Sequence, residues 1–310
     1  MSQQSTIQNI TLHSAKIKLD KTQFATCKHL IPDTVNQCLS FEITNSNYAI
    51  ANGLRRTIKS EIPMKYLTVS MADIFSTDPY VTGDVIRKRI EMIPIPQDTP
   101  VDSTYSIRFE NKSDTYVNVL SSEIKQRGGT TPVGFIQAIP IVSINSYQSF
   151  VVENITVSET QSYINSRVTA ARVGYNILDH DMHTESSINS DPKHFYLEVE
   201  TPGNIDPRYI VRTAIDSLIK RLRSINYSLS KTEYNVYKLM IPNETHTIGN
   251  LLSRYIYMIE PTIDYVAMRI VHPSKREVVI DIRHPQSELL CKKAATRIIE
   301  ELTSMRIAFK

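Results

Sequence analysis

Residues 47–63 read NYAIANGLRRTIKSEIP, and the spacing of their apolar side chains predicts an amphipathic helix. Ile50, Leu54 and Ile58 recur at intervals of four, and at about 100° per residue they share one side with Ile62. Asn52, Arg55, Arg56 and Lys59 gather on the opposite side. Asn45, Ser46 and Asn47 supply capping oxygens just ahead of the helix, and Pro63 follows, as expected near a helix end. Upstream, Leu39, Phe41 and Ile43 alternate with Ser40, Glu42 and Thr44, the period of a half-buried strand.

The same strand, cap, helix and proline return 198 residues later. At this offset Ile43 matches Ile241, Asn45 matches Asn243, Ile50 matches Ile248 and Asn52 matches Asn250. Leu54, Arg56, Ile58 and Pro63 match Leu252, Arg254, Ile256 and Pro261. Each matched position has the same structural task in both copies, so the chain reads as an internal duplication. In the second helix Leu251, Tyr255 and Met258 widen the apolar stripe of Ile248, Leu252, Ile256 and Ile259, while Asn250, Ser253 and Arg254 lie opposite. Each copy then continues with two strand patterns and a closing helix. In the first copy that helix starts at Asp206-Pro207, a cap and a proline at the first helical position, and carries Ile210, Val211, Ala214, Ile215, Leu218, Ile219 and Leu222. In the second it carries Leu290, Ala294, Ile298, Leu302 and Met305. A helix-on-sheet unit this thin gains by packing on a second one with pseudo-twofold symmetry.

The first copy is interrupted between residues 64 and 163 by a proline-punctuated, strand-rich stretch that reads as an inserted, mostly β domain. The expected organisation is α+β, in three parts. Residues 1–63 and 164–230 form the first pairing unit, 64–163 the insert, and 231–310 the second pairing unit. The polar stretch at about 224–235, SINYSLSKTEYN, is the expected linker.

Composition narrows the class. A formal charge of +3 without a basic tail does not describe a nucleic-acid-wrapping surface. Three widely spaced cysteines (Cys27, Cys38, Cys291) with no CxxC pair fit a reducing compartment and supply no disulfide framework. The opening MSQQSTIQNITLHS lacks the basic and apolar regions of a secretion signal, and no run reaches the roughly 18 apolar residues that span a bilayer. Neither secretion nor membrane anchoring is expected.

Residues 47–63 resemble the signature helix of the third-subunit homologues of cellular RNA polymerases and of the bacterial α subunit. RKRIEMIPIP (87–96) and FYLEVETPGNIDP (195–207) resemble further motifs of that family. NETHTIGNLLSRYIYMIEP (243–261) and YVAMRIVHPSKREVVIDIR (265–283) are similar to the eleventh-subunit partner. Residues 1–35 and about 100–160 carry no such motif. A fused pair is similar to the arrangement in large cytoplasmic DNA viruses. The resemblance implies a non-catalytic assembly platform for the largest and second-largest polymerase subunits, with other small subunits as further partners. DNA would be met only through the complex, no homo-oligomer is implied, and the location would be the host cytoplasm, its viral factories and the virion. For site residues it implies a subunit interface at Asn52, Arg55, Arg56, Lys59, Asn250 and Arg254. An intramolecular pairing core follows at Ile50, Leu54, Ile58, Ile248, Leu252 and Ile256. Many third-subunit homologues hold zinc on clustered cysteines and some hold an iron–sulfur cluster, but residues 64–163 contain no cysteine, so neither cofactor is expected. The chain also lacks the NADFDGD-like motif that binds catalytic magnesium in the largest subunit.

Other residue sets offer rival chemistries. His180, His183 and His194, with Asp179, Asp181 and Asp191, could ligate a divalent ion and support a metal-dependent hydrolase, although their Ser- and Asn-rich surroundings read as a surface loop. His246 is placed for a hydrogen bond at the second helix entry rather than for proton transfer. Gly128-Gly129 has the spacing of a turn, not of a phosphate-cradling loop. Tyr105, Tyr116 and Phe135, near Arg108 and Arg127, could stack bases in a stand-alone nucleic-acid-binding module, yet alternating aromatics belong more often to sheet packing.

Overall fold

The computed structural model describes residues 5–16, 35–93, 95, 99–127, 139–161, 172–178, 191–201, 206–232, 236–272 and 274–309. The chain opens with β1 (Thr6–Lys16) and β2 (Val35–Thr44), then α1 (Tyr48–Ser60). A second group follows: β3 (Pro63–Thr68), β4 (Ile74–Ser76), α2 (Gly83–Glu91), β5 (Thr104–Glu110), β6 (Val117–Leu120), β7 (Lys125–Gln126), β8 (Pro140–Ile144) and β9 (Ser149–Gln161). Next come β10 (Arg172–Ile177), β11 (Phe195–Thr201) and α3 (Pro207–Arg223). The last group is β12 (Ser228–Lys231), β13 (Tyr237–Pro242), α4 (His246–Ile259), β14 (Val266–Ile270), β15 (Glu277–Ile282) and α5 (Ser287–Ile307).

Two four-stranded antiparallel sheets share one strand order, β1-β2-β11-β10 in the first unit and β12-β13-β15-β14 in the second. Their central pairs are built alike. Leu39, Phe41 and Ile43 of β2 lie opposite Val199, Leu197 and Phe195 of β11, and all six side chains are buried. Leu239 and Ile241 of β13 face Ile280 and Val278 of β15 in the same way. The repeat extends to backbone conformation. Asn45 and Asn243, 198 residues apart, both take a left-handed turn, at φ of 55° and 61°. Asparagine tolerates that region better than most residues because its short side chain bonds locally. Each turn leads straight to a helix cap: Asn47 accepts from the backbone N–H groups of Ala49 and Ile50, and Thr245 from that of Thr247.

The helices α1, α3, α4 and α5 form one layer, in which α1 and α3 lie against the first sheet and α4 against the second, while α5 packs on α3, α4 and β1. A single apolar cluster runs through it from Leu39 to Phe309, taking in Ile50, Leu54, Ile58, Ile248, Leu252 and Ile256. Phe309, just beyond α5, meets Phe41 of the first unit edge to face at 4.9 Å.

The group β3 to β9 has a separate core, from Leu67 to Val157. It contains a sheet ordered β3-β9-β5-β7, with β4 also on β9, and a two-stranded sheet of β6 and β8. The expectation of strands here omitted α2, a nine-residue helix that buries Ile86 and Ile90 one turn apart. The expected linker also differs. Within residues 224–235, Ser228–Lys231 forms β12, which pairs with β13 as the counterpart of β1. All four of its side chains are exposed, so the strand has no buried face to produce an apolar alternation.

Candidate subunit-pairing interface

The seam between the two units is set first by close helix approach. Gly53 of α1 faces Leu251 of α4, and a β-carbon there would stand 3.4 Å from the leucine Cδ1. That is an ordinary packing distance, so Leu251 rests on α1 at position 53, and Leu54, Ile58, Leu252 and Ile256 are fully buried around it.

Around this apolar patch runs a buried polar network. Arg221, near the end of α3, lies between two carboxylates: Glu61 at the end of α1 and Glu244 in the turn before α4. Its Nε donates to Glu244 Oε1 at 3.1 Å while Nη2 donates to Oε2, a two-pronged pairing, and Nη1 donates to Glu61 Oε2. Burial opposes the guanidinium charge, but the bonds to Glu244 and the charge of Glu61 outweigh it and hold Arg221 protonated. Glu61 also accepts from Thr247 Oγ1 at 2.8 Å and Thr245 Oγ1 at 3.4 Å, both in the second unit. At the other end of the seam Glu301 of α5 accepts from Ser46 Oγ at 2.7 Å, from Ser5 Oγ at 2.6 Å and from Tyr255 OH. Burial and the Glu301 carboxylate push the Tyr255 phenol well above its ordinary pKa.

The expected pairing-core residues, Ile50, Leu54, Ile58, Ile248, Leu252 and Ile256, are thus brought together. The expected outward set is divided. Asn52 accepts from Arg55 Nε and Nη2 at 3.1 and 3.0 Å, and Lys59 and Asn250 are exposed. Arg56 and Arg254 reach across the seam instead. Arg56 Nε donates to Thr247 Oγ1 at 3.2 Å. Arg254 pairs with Asp191 and stacks over Tyr48 at 5.4 Å and Tyr257 at 5.9 Å. A helical wheel separates polar from apolar sides but does not say which neighbour a flanking arginine will meet. Glu61, Arg221, Glu244 and Glu301 escaped sequence reading because they are distant in the chain. One signal was available. The buried positions of α3 recur in α5 at an offset of 80 residues, Ile210, Val211, Ala214, Leu218 and Leu222 matching Leu290, Cys291, Ala294, Ile298 and Leu302, and this places Arg221 on Glu301.

The rival sites fall only partly within the described residues. His194 Nε2 lies 2.9 Å from Glu42 Oε2, whereas His180 and His183 fall outside the described residues. Among the described residues no group of three or more His, Cys, Asp or Glu side chains could hold a metal ion. His246 is exposed, and Thr245 makes the helix-entry bond instead. Tyr105 lies in the insert core, Tyr116 stands in solvent, and Phe135 and Gly128-Gly129 are outside the described residues. Arg108 pairs with Glu153, and Arg127 donates to Asn154.

Two units of equal topology, joined through facing helices and a shared core, define an intramolecular dimer of helix-on-sheet dimerisation domains. The chain belongs to the RNA polymerase Rpb3/Rpb11 dimerisation domain family, whose models match residues 40–222 and 237–307. It is similar to the "DNA-directed RNA polymerase RPB3-11 homolog" of African swine fever virus. The Warthog/Namibia isolate's protein is 27% identical over 324 aligned residues, covering 87% of this chain and 86% of the relative. The Pig/Kenya isolate's protein is 26% identical over 322, with the same coverage. A shorter match, 33% over 76 residues, covers 24% of this chain and 25% of the "DNA-directed RNA polymerase subunit Rpo3" of Archaeoglobus fulgidus.

Proposed function

We propose that this chain is the non-catalytic assembly subunit of a multisubunit DNA-directed RNA polymerase, uniting in one polypeptide two dimerisation partners. The observation that carries this reading is the continuous buried seam between two units of identical strand order. Other polymerase subunits are its partners. The finer assignment gives the first unit's helix face, Asn52, Arg55 and Lys59, to the second-largest subunit, and Asn250 of the second unit to the largest, while Arg56 and Arg254 serve the seam. Because each unit covers the other's apolar helix face, the isolated chain is a monomer. The viral source of the relatives supports a site of action inside an infected cell, and the family resemblance adds the host cytoplasm and the virion as the finer assignment.

Co-expression tests the partner assignment. Arg55→Ala with Lys59→Ala should leave the melting temperature within a few degrees and weaken capture of the second-largest subunit by about 1 to 4 kcal/mol, the magnitude of an interface hot spot. Undiminished recovery of that subunit would show that this face is solvated in the complex. A native mass showing an obligate homodimer through α1 or α4 would overturn the self-paired reading.

A further inference from the structure

We infer that the ionic network at the seam is a pairing code, in which complementary charges favour joining of the two unlike units and like charges bar the second unit from joining a copy of itself. The inference deepens the pairing described above and rests on it. The two repeat offsets, 198 residues for the strand-to-helix segment and 80 for the closing helix, identify which groups a twofold axis would exchange. Glu244 takes the place of Ser46, Tyr255 of Thr57, Thr247 of Ala49, Ile259 of Glu61, and Glu301 of Arg221.

In the observed pair, each closing helix sends a side chain to the turn that precedes the other unit's signature helix. Arg221 goes to Glu244 and Glu301 goes to Ser46, so a cation meets a carboxylate on one side and a carboxylate meets a hydroxyl on the other. These groups are enclosed. Glu61 is 3% exposed, and the Arg221 and Glu244 side chains are 11% exposed each. Exchange of units breaks the match. Two copies of the second unit, joined by the same axis, would set Glu301 of each against Glu244 of the other, with Ile259 where Glu61 stood, a carboxylate where Arg221 stood, and Arg254 in the place that Arg56 holds beside Thr247. Two facing carboxylates in a water-poor seam repel strongly. Two copies of the first unit would leave Arg221 on Glu61 alone, facing Ser46, and would offer Glu61 an alanine methyl where Thr247 now donates. Only the unlike pair gives every carboxylate a donor and Arg221 both of its carboxylates.

The test uses the full chain with a specific protease site inserted between Asn226 and Tyr227, cut after folding. The nicked protein is unfolded in urea, diluted to refold, and its assemblies are counted by native mass spectrometry. The parent should return almost wholly as one first unit with one second unit. Glu244→Gln with Glu301→Gln removes the repulsion while keeping shape and hydrogen-bonding capacity, and should raise self-pairs of the second unit at least tenfold. Glu301→Lys, which would oppose Glu244 with a cation in a self-pair, should raise them further. Self-pairs in the parent at the frequency of mixed pairs, or no rise in either variant, would overturn the code while leaving the fused-pair reading intact. Halves that remain folded but do not associate at all would overturn both.

Discussion

Arg221 is held by Glu61 from its own unit and by Glu244 from the other, so its removal leaves two carboxylates in the seam without their cation. Taking one partner from a buried ion pair costs about 3 to 5 kcal/mol. Arg221→Met should lose stability on that scale in urea unfolding. Arg221→Lys should fall between it and the parent, because an ammonium keeps the charge but cannot make the two-pronged contact with Glu244. Two glycines in the facing helices divide just as sharply. A β-carbon at Gly249 would sit 2.7 Å from Met268 Cγ and from Val278 Cγ1, whereas at Gly53 its nearest neighbour is 3.4 Å away. Gly249→Ala should destabilise by about 1 to 3 kcal/mol through overpacking. Gly53→Ala should be neutral or gain up to about 1 kcal/mol of helix propensity. Cys291 supplies a pH signature. Burial, then the nearby Glu288 carboxylate, push its thiol up to about 11 from 9.0. A raised acid pKa means that the native state holds the proton longer than the unfolded chain does. The associated stability is present below pH 9.0 and is lost as pH rises to about 11. Cys291→Ala should flatten the fall of unfolding free energy across that window.

The signature helices show what sequence reading reaches and where it stops. Leu54 and Leu252 are both fully buried, as their spacing requires. Leu54→Asp or Leu252→Asp should abolish cooperative thermal unfolding, since an unpaired carboxylate in that core costs more than a domain's marginal stability. Alternation in β2 and in β11, and the Asp206-Pro207 start of α3, were equally plain because each element has one face in the core and one outside it. The helix α2 was not legible: it is short, and of its buried residues Ile86, Ile90 and Glu91 only two are apolar, amid Asp84, Arg87, Lys88 and Arg89. The strand β12 was hidden for the opposite reason, having no buried residue. Of the seam, the apolar half could be read from periodicity. The charged half could not, because Arg221 and Glu61 are 160 residues apart and nothing local to either asks for the other.

At the scale of the whole molecule the first unit is discontinuous, with β2 and α1 separated from β10, β11 and α3 by the β3–β9 group. The register of β3 on β9 sets Pro63 opposite Gln161, so the group leaves the unit and returns to it at neighbouring points. Joining the ends of a flexible loop of roughly a hundred residues costs about 2 to 3 kcal/mol more than joining those of a six-residue turn, at about 0.6 kcal/mol for each doubling. A group that folds on its own core and brings its own termini together removes that excess before the first sheet closes. It acts on the remaining chain as a hairpin does, which lowers the effective contact order of β2 with β11 and should speed their pairing. Loosening the group with Phe150→Ala, fully buried in its core, should therefore slow refolding of the paired units as followed by stopped-flow, while replacing residues 68–156 by a four-residue turn should restore it. A domain with a core separate from that of the seam would then govern how fast the seam forms.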